Sequence, residues 1–274
     1  VTAFELLLPA FVAGLILTGI HAYLGVHVVE RGVIFVDLSL AQIAALGTTA
    51  AFLKGFEVHS EAGHAFALTF TVAGAAIFAF VRPHSRTRVP QEAVIGIVYA
   101  VAAAASILLM SKSTRETEHL KDMLVGSILT VSWSELRHTA VLYALIGLLH
   151  FVLRRRFLLI SMDEPEAVRQ GLHVRLWDFV FYVSFGVVVT SSVPIAGVLL
   201  VFCYLIVPAV TAMLFAERLG PRLAIGWTMG ALVSAAGVSL SYLLDLPTGA
   251  TIVGTFGVAL LLLSGVRLLV RRAA

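Results

Sequence analysis

The chain has 274 residues, of which 59% are hydrophobic and only 13% charged, and its mean hydropathy is +0.99. That composition excludes an ordinary soluble domain and describes a polytopic integral membrane protein, read as all-α from its long continuous apolar runs. The formal charge of +3 matters less than where the basic residues fall, and a single cysteine, Cys203, excludes both an internal disulfide and a Cys-rich zinc site.

A hydrocarbon core of about 30 Å needs roughly 20 apolar residues per helix. About nine stretches qualify, at 4–29, 33–53, 64–81, 91–111, 136–153, 175–193, 195–216, 222–244 and 248–268. The first is too long for a signal segment and lacks a basic leading region, so it is expected to be a true span. The segment 123–135, "MLVGSILTVSWSE", is too short to cross and suits a half-helix or re-entrant piece.

Within the first span His21 lies deep, and His27 and Glu30 share a face three residues apart. The second span carries "FVDLSLAQIAALG", with Asp37 and Gln42 where a lipid-facing helix would hold neither. Five residues separate these two, so on a regular helix they point about 140° apart and do not chelate one ion together. Gln42 suits either an interhelical hydrogen bond or a translocation path, and Asp37 either an ion pair, with Arg31 as a partner, or the path. If the first two spans pack together, His21, His27, Glu30, Asp37 and Gln42 form one polar seam. Between the second and third spans, "EVHSEAGH" places His59, Glu61 and His64 close together, as either a solvated loop or an entrance for a borderline metal ion.

After the fifth span, "SMDEPEAVRQGLHVRLWDF" reads as a short surface helix. Asp163 or Ser161 suits its cap, Glu164, Pro165 and Glu166 its first turn, and Gly171 its end. It is either a solvated connector or a coupling helix over about 162–172. In "VPIAGVLLVFCYLIVPAVTAML" Pro208 is expected to kink or break the helix unless its neighbours compensate. Asp245, just before Pro247, suits an outer entrance or a turn.

Fourteen of the 19 Lys and Arg residues collect at alternate span ends, among them Arg31, Arg82, Arg154, Arg155, Arg156, Arg169, Arg175, Arg218 and Arg267. The positive-inside rule makes that side cytoplasmic, with the N-terminus outside and the C-terminus inside. No loop is long enough for a soluble domain, so residues 1–274 are read as a single transmembrane domain. The sequence has no G-x-x-x-x-G-K-[ST] phosphate loop, no H-E-x-x-H and no G-x-S-x-G. Those absences speak against an intramembrane enzyme, and no permanently bound cofactor is expected.

The blocks at 25–47, 125–136, 163–212 and 246–253, taken in order, resemble the permease family of the bacterial ABC importers for zinc, manganese and iron. The resemblance implies a homodimer, a cytoplasmic ABC ATPase dimer carrying the ATP, and a periplasmic or lipid-anchored metal-binding protein that delivers a divalent ion. It also implies that 162–172, with Asp163, Glu164, Glu166, Ala167 and Gly171, is the coupling helix. Family members read Gly-Asp-x-x-Ser-His where this chain has Asp37, Leu38, Ala41 and Gln42, so all four positions differ. Imidazole suits zinc, whereas carboxylate and amide oxygens suit harder ions. The alternatives are a stand-alone proton-coupled carrier and an ABC permease of the same fold for another substrate. The lipid bilayer of the bacterial inner membrane is the expected surround, and nucleic acid is not an expected partner.

Overall fold

The computed structural model describes residues 3–57, 60–81, 89–111 and 128–273. Among them all regular structure is helical: α1 (Ala3–Glu30), α2 (Val36–Leu53), α3 (Glu61–Phe80), α4 (Gln91–Met110), a 3-10 turn (Ile128–Thr130), α5 (Trp133–Met162), α6 (Glu164–Arg169), α7 (Val174–Ala196), α8 (Val198–Phe215), α9 (Leu219–Leu244) and α10 (Thr248–Ala273). Nine of the ten α-helices, every one except α6, are long and apolar enough to span a bilayer, and they match the nine stretches expected from sequence. The proposed re-entrant segment is described only from residue 128 onward, as the 3-10 turn leading to Ser132, whose backbone N–H and hydroxyl both donate to Glu135 Oε2 at the start of α5.

Three boundaries differ from the sequence expectation. Helix α2 begins at Val36 rather than 33, because Gly32, at φ +65°, turns the chain after α1. Helix α5 continues past residue 153 to Met162: hydropathy ends at Arg154–Arg156, but arginine is a good helix former and the backbone does not stop. Helix α8 runs unbroken through Pro208, which is buried. There α9 presents Gly226, a position where an added Cβ would sit 3.5 Å from the Pro208 carbonyl, so a neighbouring helix covers the disrupted turn at close range. The break comes instead at Gly197, at φ 76° and ψ 156°, a glycine conformation that separates α7 from α8 by one residue.

The chain divides into two compact units, one of residues 1–29, 122–147 and 192–274, the other of residues 30–121 and 148–191. Lipid gives helices no hydrophobic drive to associate, so both units rely on small residues and buried hydrogen bonds. In the first, Gly25 of α1 meets the Leu205 carbonyl of α8 and Gly230 of α9 meets Thr18. Tyr204 and Ser234 share a hydroxyl hydrogen bond of 2.8 Å, and Tyr204 stands edge-on to Phe256 of α10. In the second, α2 packs on α3 and α4, with Gly74 against Ile43 and Gly47 against the Phe66 backbone. Thr71 and Thr190 bridge α3 and α7 at 3.0 Å, and the Ser39 hydroxyl donates to the Ile95 carbonyl at 3.2 Å. Helices α4 and α10 leave most of their apolar surface uncovered, as lipid-facing spans do.

Candidate translocation and coupling residues

His21 is fully buried in the first unit. Its Nδ1–H donates to the Leu17 carbonyl one turn back, at 2.9 Å, and its ring meets Tyr143 edge-on. That bond assigns the proton to Nδ1 and leaves the Nε2 lone pair buried with no hydrogen-bond partner among the described residues. A histidine anchored this way through its other nitrogen has the tautomer of a metal-binding imidazole. His27, also fully buried, packs edge-on to Tyr23 at 4.8 Å. Six residues on from His21, it points about 120° away around the helix axis.

Glu30, Asp37 and Gln42 belong to the second unit. Asp37 is 2% exposed and sits in the first turn of α2, rather than further along the helix as a start at 33 placed it. A carboxylate there faces the donor-rich end of the helix. The neighbouring donor, the Phe35 backbone N–H, is taken by Glu92 Oε1 of α4 at 2.9 Å. Asp37 Oδ1 and Glu92 Oε2 both remain buried without a hydrogen bond among the described residues. Arg31 is not the partner of Asp37: its guanidinium lies 2.7 Å from Asp178 Oδ1. Gln42 is half-buried in mid-α2. Ser39, one turn earlier on the same face, is hydrogen-bonded to α4.

At the other loops, Ser60 caps α3 by accepting from the Gly63 N–H, and Glu61 follows in the first turn. His64 is exposed, and its Nδ1–H donates to the Ser60 carbonyl at 3.0 Å, which turns Nε2 outward. His59 lies outside the described residues. Asp245 is the C-cap of α9, in the left-handed region at φ 51°, which aspartate tolerates better than most residues. No group of three or more His, Cys, Asp or Glu side chains capable of holding a metal forms among the described residues.

Helix α6 is closed at both ends. Asp163 Oδ1 accepts from the Glu166 N–H at 3.0 Å, Pro165 occupies the first turn, and Glu164 and Glu166 place negative charge at the donor end. Ser161 has a different role, accepting from Arg31 Nε at 2.8 Å. At the far end the Leu172 N–H bonds the Ala167 carbonyl and the Gly171 N–H the Val168 carbonyl, with Gly171 at φ 76°, which is a Schellman termination. Glu166 is tied to Arg169 and Gln170. Ala167 is fully buried while Val168 is exposed, so the helix is seated on one face and offers an apolar side chain on the other.

Sequence reasoning did not single out Asp178, Glu92 or His150. Asp178 falls inside the sixth apolar stretch, and an acid within a span is itself the signal that should have drawn attention to it. His150 is buried too, with Nε2 2.8 Å from the Ser184 hydroxyl and its ring against Phe157 and Phe181.

Nine apolar spans holding a few buried acids and imidazoles, together with a short capped helix, define a multi-pass helical membrane protein. The chain belongs to the ABC 3 transport family, whose model matches residues 3–267. It is 27% identical over 234 residues to the "Manganese transport system membrane protein MntC" of Listeria innocua, covering 85% of this chain and 81% of that protein. It is 28% identical over 250 residues to a "Probable iron transport system membrane protein" of Haemophilus influenzae, covering 91% and 89%. Among solved structures, PsaBC from Streptococcus pneumoniae in complex with Fab superposes with a TM-score of 0.78 at 24% identity, over 95% of this chain and 91% of that one, a likeness of fold.

Proposed function

We propose that the chain is the membrane permease subunit of an ATP-binding-cassette importer in the bacterial inner membrane, and that its cargo is a divalent metal ion. The observation that carries this reading is the family match across 3–267, whose relatives are named for manganese and iron transport. In the proposed assembly two copies of the chain pair, a separate ATPase dimer docks on α6 from the cytoplasm, and a binding protein delivers the ion near Glu61 and His64. Transport proceeds by alternating access, with ATP hydrolysed on the partner chain.

The polar residues of α2 supply the path. Asp37 and Gln42 offer oxygen, which favours manganese over zinc among the family's ions.

The test is reconstitution of the chain in liposomes with the ATPase and binding protein encoded beside it, followed by titration of manganese, iron and zinc on the loaded binding protein. Hydrolysis stimulated by manganese above the other two, and lost when 162–172 is disrupted, is the expected result. Failure of any ATPase to associate would overturn the reading in favour of a proton-coupled carrier.

A further inference from the structure

Arg31 is the first residue beyond α1, immediately before the Gly32 elbow that leads into α2. Its guanidinium is held on three sides. Nη1 bonds Asp178 Oδ1 of α7 at 2.7 Å, Nε donates to Ser161 Oγ of α5 at 2.8 Å, and the ring of Phe181 lies 4.0 Å beneath the guanidinium carbon. The two charged side chains are 3% and 0% exposed. Ser161 stands two residues before the Asp163 cap of α6, and Asp178 stands in the second turn of α7, just past the Gly171 termination. One side chain therefore ties the elbow of α2 to the segments that enter and leave α6.

Stability alone does not account for such a pair. Desolvating two charges roughly cancels their attraction, and apolar residues of similar volume often serve a fold as well or better. A buried guanidinium supplies directed, charge-assisted bonds from a rigid fork, so the three segments keep one geometry and move together.

We propose that Arg31, Asp178 and Ser161 form a mechanical clasp that transmits displacement of α6 to the α1–α2 elbow and so to the path residues of α2. These are positioning residues, and they make no contact with cargo. The inference rests on the permease reading above. With α6 only six residues long and capped at both ends, a push on it is passed to its flanking segments instead of being absorbed by unwinding. Gly32 has no atom within 4 Å of the place a Cβ would occupy, so the elbow has room to swing.

The experiment uses the complete transporter in proteoliposomes and reads ions moved per ATP hydrolysed, beside the melting temperature and ATPase association of each variant. The double variant R31M/D178L replaces the pair with apolar side chains, and S161A removes one hydroxyl. Both are expected to melt and associate like the parent, while ions moved per ATP fall about fivefold or more in R31M/D178L and about twofold in S161A. An R31M/D178L transporter that assembles and keeps the parental ratio overturns the clasp. If that variant does not fold, S161A decides: an unchanged ratio overturns the clasp and a lowered one supports it. A parent complex without metal-stimulated hydrolysis would sink the permease reading instead, a failure visible before any variant is made.

Discussion

Single glycines decide how closely the spans approach. At Gly25 an added Cβ would run into the Leu205 carbonyl, a backbone atom that cannot rotate away, so Gly25→Ala must push α1 off α8. Overpacking of this kind costs about 1–3 kcal/mol, and overlap with backbone puts this case at the upper end. Gly254 of α10 has nothing within 4 Å, and there alanine should add about 0.5–1 kcal/mol by its better helix propensity. Thermal melting of the two variants in one detergent checks the pair: Gly25→Ala is expected to melt several degrees below the parent and Gly254→Ala at or above it, and equal melting temperatures would refute the close approach. Both residues look alike in sequence, since each interrupts an apolar run. Pairing is what separates them, and pairing is tertiary. For the same reason Asp37 and Gln42 stood out as polar residues in an apolar span, while Glu92, whose carboxylate takes the Phe35 N–H at the start of α2, and the true partner of Arg31, Asp178, did not. Each lies 55 or more residues from the group it meets.

The elements were legible where composition alone determines them. Lipid requires an uninterrupted apolar helix, so all nine spans could be read from hydropathy, with errors only where helix and hydropathy end at different places, as at Arg154–Arg156. Helix α6 was legible for a different reason: its cap, its proline and its terminal glycine are local signals that need no tertiary partner. Six residues leave it little intrinsic stability, and that makes its cap consequential. Removing the side-chain acceptor in Asp163→Ala should cost about 1 kcal/mol, whereas Asp163→Asn keeps a capping oxygen. Cargo-stimulated hydrolysis by the reconstituted complex is expected to fall several-fold in Asp163→Ala and to stay near the parental rate in Asp163→Asn. Equal losses in the two would assign the effect to the lost charge and not to the cap.

At the scale of the whole molecule the sidedness of α6 decides whether a cytoplasmic motor can act on it at all. Fourteen of 19 basic residues gather at alternate span ends, and that side carries Arg154–Arg156, Arg169 and Arg175 around α6. The positive-inside rule predicts a cytoplasmic location for them, and with nine spans it predicts that Glu57, Glu61, His64 and Asp245 lie on the opposite side of the membrane. Because Cys203 is the only cysteine, a Cys203→Ser background gives a clean reporter. Glu57, Arg169 and Asp245 are all exposed, so a cysteine at any of them is open to reagent from its own side of the membrane. An impermeant maleimide added to intact cells stripped of outer membrane should label Glu57→Cys and Asp245→Cys at once, and Arg169→Cys only after the cells are opened. The reverse pattern would place α6 outside, beyond the reach of any ATP-driven subunit, and would remove the coupling helix and the clasp together. Labelling of all three without opening would mean that the charge asymmetry does not orient this chain, leaving the metal path without a defined direction.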